Sequence, residues 1–246
     1  MTQKQIYKNK NHKTKGGFWH GVALGLGVPG LILGTTFIGF GSLVRESGIA
    51  LWMGLFSTAT AWAVPGQLAL VELYAIGASS VTIVAAVALT NARLLPMSVV
   101  LLPELRSPGA APWKYYLAAH YIAVTGWALA MKHCPTMPPE QRLSFFTGLT
   151  LTLWSLSLFG TAIGFFLAGS LPNHVTIGLV FMNPIYFMLI FASDLAHRAR
   201  TLAMVFGAVA GPLMYLATPD WGLLLTGLIA GSVAFVLDRI WQRRND

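Results

Sequence analysis

The sequence predicts an all-α polytopic membrane protein of about eight transmembrane helices, several of them broken at Pro or Gly. Three observations predict it. Hydrophobic residues make up 55% of the 246-residue chain and charged residues only 10%, where an average soluble domain carries about 25%. Whole windows lack Asp, Glu, Lys and Arg: 16–44, 47–71, 73–92, 115–131, 143–193, 201–219 and 221–237. Lys and Arg, finally, gather in the tails and in alternate connections. So few charges cannot cover a water-facing surface, which excludes an ordinary soluble enzyme and a disordered chain. One cysteine excludes a disulfide scaffold.

A helix crosses the hydrocarbon in about 20 apolar residues, because its backbone must satisfy itself internally. The window 143–193 is long enough for two crossings and has a turn-rich break at Gly169-Ser170-Leu171-Pro172-Asn173-His174. Helices are therefore expected at 18–43, 49–71, 79–103, 113–131, 144–168, 176–193, 199–217 and 221–238. They form one transmembrane domain over 18–238, between basic cytoplasmic tails at 1–17 and 239–246. No cleavable signal peptide is expected, since the first apolar run is too long for one.

An even number of crossings puts both tails on one side. Lys4, Lys8, Lys10, Lys13, Lys15, Lys132, Arg142, Arg198, Arg200, Arg239, Arg243 and Arg244 fall there. Only Arg45, Arg106 and Lys114 fall opposite, and Arg93 lies within a segment. The positive-inside rule makes the crowded side cytoplasmic. The net charge of +8 is then explained by contact with anionic lipid, with no nucleic acid needed.

Glycines recur every four residues at Gly17, Gly21 and Gly25, and in the pairs Gly30/Gly34, Gly160/Gly164, Gly207/Gly211 and Gly227/Gly231. Such spacing lets helix backbones approach closely. Pro29-Gly30, Pro65-Gly66, Pro96, Pro184 and Pro212 sit inside apolar segments. Each proline removes a donor and frees a carbonyl one turn earlier, as in the broken helices with which transporters bind solutes. Pro65-Gly66 followed by Gln67 is the strongest candidate for a true break. A two-fold internal repeat is expected from the match of Gly34-Thr35, Ile38-Gly39-Phe40 and Gly41-Ser42-Leu43 to Gly160-Thr161, Ile163-Gly164-Phe165 and Gly169-Ser170-Leu171. The residues leave open whether that repeat is parallel or inverted.

An ionisable group in hydrocarbon costs at least about 2.5–3.5 kcal/mol, so each one needs a reason. Arg93 is the sharpest case: its planar fork of donors suits a carboxylate, and a structural pair with Glu72 is the alternative. Asn91, Gln67 and Asn183 supply uncharged donors and acceptors at depth. Glu72 and His120 are the candidates for proton coupling, set against an interfacial glutamate and a hydrogen-bonded structural histidine. No phosphate-binding loop, zinc motif or nucleophile elbow occurs. No enzymatic activity, cofactor or metal site is expected.

The run Gly41-Ser42-Leu43-Val44-Arg45-Glu46-Ser47-Gly48, the Gly66-Gln67 break, Gly77-Ala78-Ser79, Asn91-Ala92-Arg93-Leu94-Leu95 and the ending Pro219-Asp220-Trp221-Gly222-Leu223-Leu224 together resemble the AzlC family. That family supplies the large subunit of bacterial branched-chain amino acid exporters, which work with a small membrane partner of the AzlD type. The sequence departs from the family's pattern at Pro65, at Leu94, at Met97-Ser98 and at Val124-Thr125, where an acidic pair is common. The resemblance implies a secondary-active, proton-coupled exporter of branched-chain or similar apolar amino acids in the bacterial inner membrane. Its expected substrate site uses Arg93, Asn91, Gln67, Pro65, Gly66 and Asn183. Two other readings stay open: the membrane subunit of an ATP-driven amino acid transporter, and a non-transporting membrane scaffold. Homo-oligomerisation also stays open.

Overall fold

The computed structural model describes residues 16–170, 172, 174–181, 185, 198–217 and 222–245. The first tail over 1–15, Asn183 and Pro184 lie outside the described residues. Those described are helical, without a strand. The chain divides into two compact units, Met1–Asn183 and Pro184–Asp246.

Among the described residues the first unit holds ten helices, in chain order. They are α1 over 16–26, α2 Val28–Glu46, α3 Leu51–Thr60, α4 Val64–Ala75, α5 Ser80–Asn91, α6 Leu94–Glu104, α7 Trp113–His120, α8 Val124–His133, α9 Pro139–Leu167 and α10 over 174–181. A short 3₁₀ turn, Cys134–Thr136, joins α8 to α9. The second unit pairs α11, Arg198–Ala217, with α12, Gly222–Asn245. α12 runs on through the residues expected as the basic tail.

α9 is the axis of the first unit. Pro139 opens it where no N–H is needed, Glu140 complements its N-terminal dipole, and its 29 residues extend about 43 Å. α1 and α2 run parallel to it at backbone contact. Gly17 faces Gln141 and Ser144, Gly21 faces Phe145, and Gly25 faces Thr152. Farther along, Gly160 lies on Gly34 and Gly164 on the Ile38 carbonyl. The first two parts of the self-match thus fall on two parallel helices, where Gly160 meets its counterpart Gly34, while Gly169-Ser170 lies beyond the end of α9. In the second unit a Cβ at Gly207, Gly227 or Gly231 would meet none of the described residues within 4 Å, so among these residues the glycines do not bring α11 and α12 together.

Four of the expected segments are interrupted, and proline explains three of the breaks. Pro29 lacks the N–H that would reach the Gly25 carbonyl, and α1 ends before Gly27. Pro65 leaves the Ala61 carbonyl without its helical donor, and residues 61–63 leave the helix. Pro96 does the same to Ala92, whose carbonyl accepts from Leu95 N at 3.1 Å instead. The fourth break, at 121–123, has no proline near it.

Two interruptions reverse the chain, which corrects the expectation of continuous crossings at 49–71 and 113–131. α6 ends beside the start of α9, where Arg142 donates to the Glu104 carboxylate at 3.2 Å. α7 starts at that end, bordering Glu140 and Ser144. It rises until Tyr121 meets Trp154, ring centroids 5.8 Å apart. α8 then comes back, with His133 packed on Phe145 at 6.0 Å and Cys134 leading into α9. α7–α8 is therefore a hairpin whose two ends lie together. α3–α4 is the opposite hairpin. α3 starts where α2 ends, Gly54 packing on Val44, and descends to its tip. α4 leaves that tip antiparallel to α5, with Gly66 against Asn91 at one end and a turn over 76–79 at the other. α5 and α6 bend by only 44° and continue together to Glu104. α4 must thus return to the end where α3 began. Within a charge-free run, a straight and a folded-back segment have the same composition.

Val28–Glu46 and Pro139–Leu167 are each long and apolar enough to cross a membrane, and the α5–α6 pair meets that test jointly. Val81, Val84, Leu95 and Val99 stand 65–79% exposed, whereas Phe40, Phe145 and Phe146 are fully buried. An exposed apolar surface of this extent faces lipid.

Cys134, buried and outside the apolar segments, yields a prediction. Burial pushes its thiol up to about 11; Glu104 adds to the rise and Arg142 opposes it. A raised pKa means less thiolate at any lower pH. At pH 8 ionisation alone should slow alkylation by roughly two orders of magnitude relative to an ordinary thiol. Maleimide labelling in detergent checks this: labelling as fast as that of a denatured control would contradict it.

Candidate functional site

Three of the four interruptions lie alongside the middle of α9, and the fourth, between α5 and α6, lies against the start of α4. One face of α9 presents Thr150, Trp154, Ser157 and Thr161, spaced four, three and four residues apart, so they form a stripe. Thr150 touches Gly126 behind the α8 start, and Trp154 meets Tyr121 at the α7 end. Ser157 accepts from Trp62 Nε1 at 2.9 Å, and Thr161 shares a hydrogen bond with Thr58 at 3.0 Å. Two hairpins from opposite ends thus meet on one polar stripe. Their tips touch, because His120 Nε2 lies 3.3 Å from the Ala59 carbonyl, which also accepts from Trp154 Nε1 at 3.3 Å. That carbonyl was freed by the break after α3, and the two rings satisfy it.

The α3–α4 tip is under strain. Trp62 has φ +34°, a left-handed conformation that side chains disfavour. It is held by its indole bond to Ser157, and both residues are buried. Trp62→Phe keeps the ring and deletes the donor, while Ser157 retains its bond to the Leu153 carbonyl. The expected loss is about 0.5–1.5 kcal/mol, measurable as a lower thermal midpoint in detergent. An unchanged midpoint would mean that the bond holds nothing.

Behind this tip, fully buried Gln67 donates through Nε2 to Ser57 Oγ at 3.1 Å and Thr58 Oγ1 at 3.0 Å. The Ser57 hydroxyl spends its proton on the Gly54 carbonyl and so accepts from Gln67, which fixes the amide's orientation. Gln67 Oε1 is left buried without a donor. Three more buried side-chain atoms among the described residues share that condition: Asn91 Oδ1, Arg93 Nε and Trp127 Nε1. Buried polar groups in folded proteins are nearly always paired. Two of these atoms are bare acceptors and two are bare donors, and all four lie at or beside helix breaks.

The structure sets Gly66 against Asn91, where a Cβ on Gly66 would lie 2.6 Å from Asn91 Oδ1 and push the amide aside, while the side chain of neighbouring Gln67 turns to Ser57 and Thr58. Arg93 follows in the same break, half-buried. Pro65 sits in the first turn of α4, where it ends the preceding helix. Glu72 is exposed near the far end of α4, and no ion pair joins it to Arg93. His120 is exposed but touches the opposite tip. Trp127 and the hydroxyls of Ser57, Thr58, Ser157 and Thr161 went unnoticed in the sequence. A signal for Trp127 existed: Ala63-Val64-Pro65-Gly66-Gln67 recurs as Ala123-Val124-Thr125-Gly126-Trp127. Among the described residues no group of three or more His, Cys, Asp or Glu is placed to hold a metal.

Neither among curated proteins nor among solved structures does anything match the chain. A family model described as AzlC protein matches residues 30–171, which contain both hairpins, the α5–α6 break and all of α9. That match covers more than half of the 246 residues and points to a membrane transport-related function; the chain belongs to the AzlC family.

Proposed function

We propose that the protein is a secondary-active transporter exporting branched-chain or similar apolar amino acids across the bacterial inner membrane. The carrying observation is the set of unpaired buried atoms at the breaks. In this reading Arg93 takes the substrate carboxylate, aided by the free N–H groups at the start of α4. Gln67 Oε1 and Asn91 Oδ1 take the ammonium. Pro65 and Gly66 shape the helix start, and Asn183 remains a further candidate contact. A small AzlD-like membrane subunit is the proposed partner.

Orientation follows from charge. Arg106, Lys114, Lys132 and Arg142 lie at the end where α9 begins, and Arg45 lies at the other. The hairpins move Arg106 and Lys114 to the crowded side, which removes two of the three exceptions in the sequence-based topology. The α9 N-terminal end is thus read as cytoplasmic. His120, which ties the tips together, is the better placed proton-coupling candidate; Glu72 is the other.

The test is a counterflow screen of amino acids in proteoliposomes, with and without the small partner. Leucine, isoleucine and valine should exchange without ATP, and lysine and glutamate should not. Absence of exchange for every amino acid, partner included, would refute the reading.

A further inference from the structure

We propose that a chamber beside α7 is the vestibule through which an apolar amino acid enters from the cytoplasmic side, and that the α7–α8 hairpin gates its passage to the centre. The proposal rests on the transport reading above. The chamber, about 950 Å³, lies between the α6–α7 connection, α7 and the first half of α9. Its volume falls in the usual range for small-molecule sites, about 300–1,000 Å³. Lys114 and Glu140 border it where α7 and α9 begin, opposite charges suited to a zwitterion. Leu117 and Phe146 give it apolar walls, and Tyr121 and Thr150 border it at the hairpin tip.

The gate is inferred from unequal fastening of two equivalent hairpins. Both return helices start at a valine after an extended alanine, α4 at Val64 and α8 at Val124. In both, the fourth residue's N–H reaches the capping alanine: Gln67 N to Ala63 O at 3.0 Å and Trp127 N to Ala123 O at 2.8 Å. The α3–α4 tip is pinned to α9 by Trp62–Ser157 and Thr58–Thr161, and Gln67 ties its two arms together. Among the described residues the α7–α8 tip has no side-chain hydrogen bond to α9. Its polar tie is His120 to Ala59, and Trp127, the counterpart of Gln67, has an unpaired Nε1. The fastened hairpin closes the outer side. The other, held to α9 by packing without a side-chain hydrogen bond among the described residues, borders the chamber, and its closed form would give Trp127 a partner.

Two measurements in a Cys134→Ser background test this. Thr147→Cys puts one thiol on the chamber wall. An impermeant maleimide should label it in inside-out vesicles and not from the outer face. Leucine at about ten times its Kd should slow that labelling about tenfold. Labelling from the outer face, no labelling, or labelling that leucine leaves unchanged (as for a chamber filled by lipid chains) would overturn the vestibule. For the gate, Gly126→Cys is paired with Thr150→Cys, because a Cβ on Gly126 lies 3.0 Å from Thr150 Cγ2, within disulfide reach. Oxidation should stop counterflow and reduction restore it; undiminished exchange by the cross-linked protein would overturn the gate. A wild-type protein that exchanges no amino acid would instead remove the transport reading, while leucine protection would still decide the vestibule.

Discussion

Leucine counterflow is expected to vanish in Arg93→Met without loss of folded protein. The guanidinium lies in the α5–α6 break with its Nε buried and unpaired, and among the described residues no acidic partner neutralises it. Holding a cation inside the bilayer costs at least about 2.5–3.5 kcal/mol. A purely structural arginine would offset that cost with a carboxylate; this one leaves it standing, as a group reserved for a substrate anion would. Removing it should forfeit a charged hydrogen bond of about 1.5–3 kcal/mol, roughly 10–150-fold in apparent affinity. The thermal midpoint should stay level or rise. Arg93→Lys keeps the charge but loses the planar fork, and should recover part of the exchange. Efflux that survives in Arg93→Met, or a midpoint that falls with it, would return the residue to a structural role.

The largest stability effect is expected from Gly164→Val. A Cβ at that position would collide with the Ile38 carbonyl oxygen, a rigid backbone atom on the parallel α2. The helices must then separate along their common length and loosen buried Phe37 and Phe40 between them. Overpacking of this kind costs about 1–3 kcal/mol, and here the tips that rest on Ser157 and Thr161 shift with α9. Gly207→Val, on a face where a Cβ meets none of the described residues within 4 Å, serves as the control. It should change stability by no more than about 0.5 kcal/mol. Size-exclusion profiles and thermal midpoints in detergent compare the two. Equal behaviour would mean that the α2–α9 contact is not a tight one.

Arg93 and Asn91 were legible in the sequence because a charge and an amide inside an apolar run have no cheap explanation. Gln67 was legible through Pro65-Gly66, which forbids a continuous helix. Trp127 was not, because a tryptophan in an apolar segment is ordinary until its N–H is seen to lack an acceptor. The hydroxyls of Ser157 and Thr161 escaped for a related reason. Isolated Ser and Thr can satisfy themselves on the carbonyl four residues back, as both do, and only packing shows that they also receive partners from another helix.

Composition and charge spacing by themselves pointed to the lipid environment and the helical architecture, because unpaired backbone is forbidden in hydrocarbon. Proline, which lacks an N–H, marks three of the four breaks, although Pro212 stays inside the continuous α11. Tertiary structure alone decided that two apolar segments turn back where crossings were expected, that they do so from opposite ends, and that their tips meet on one face of α9. The direction taken after a break depends on which distant surface buries the returning helix, and no local pattern records that.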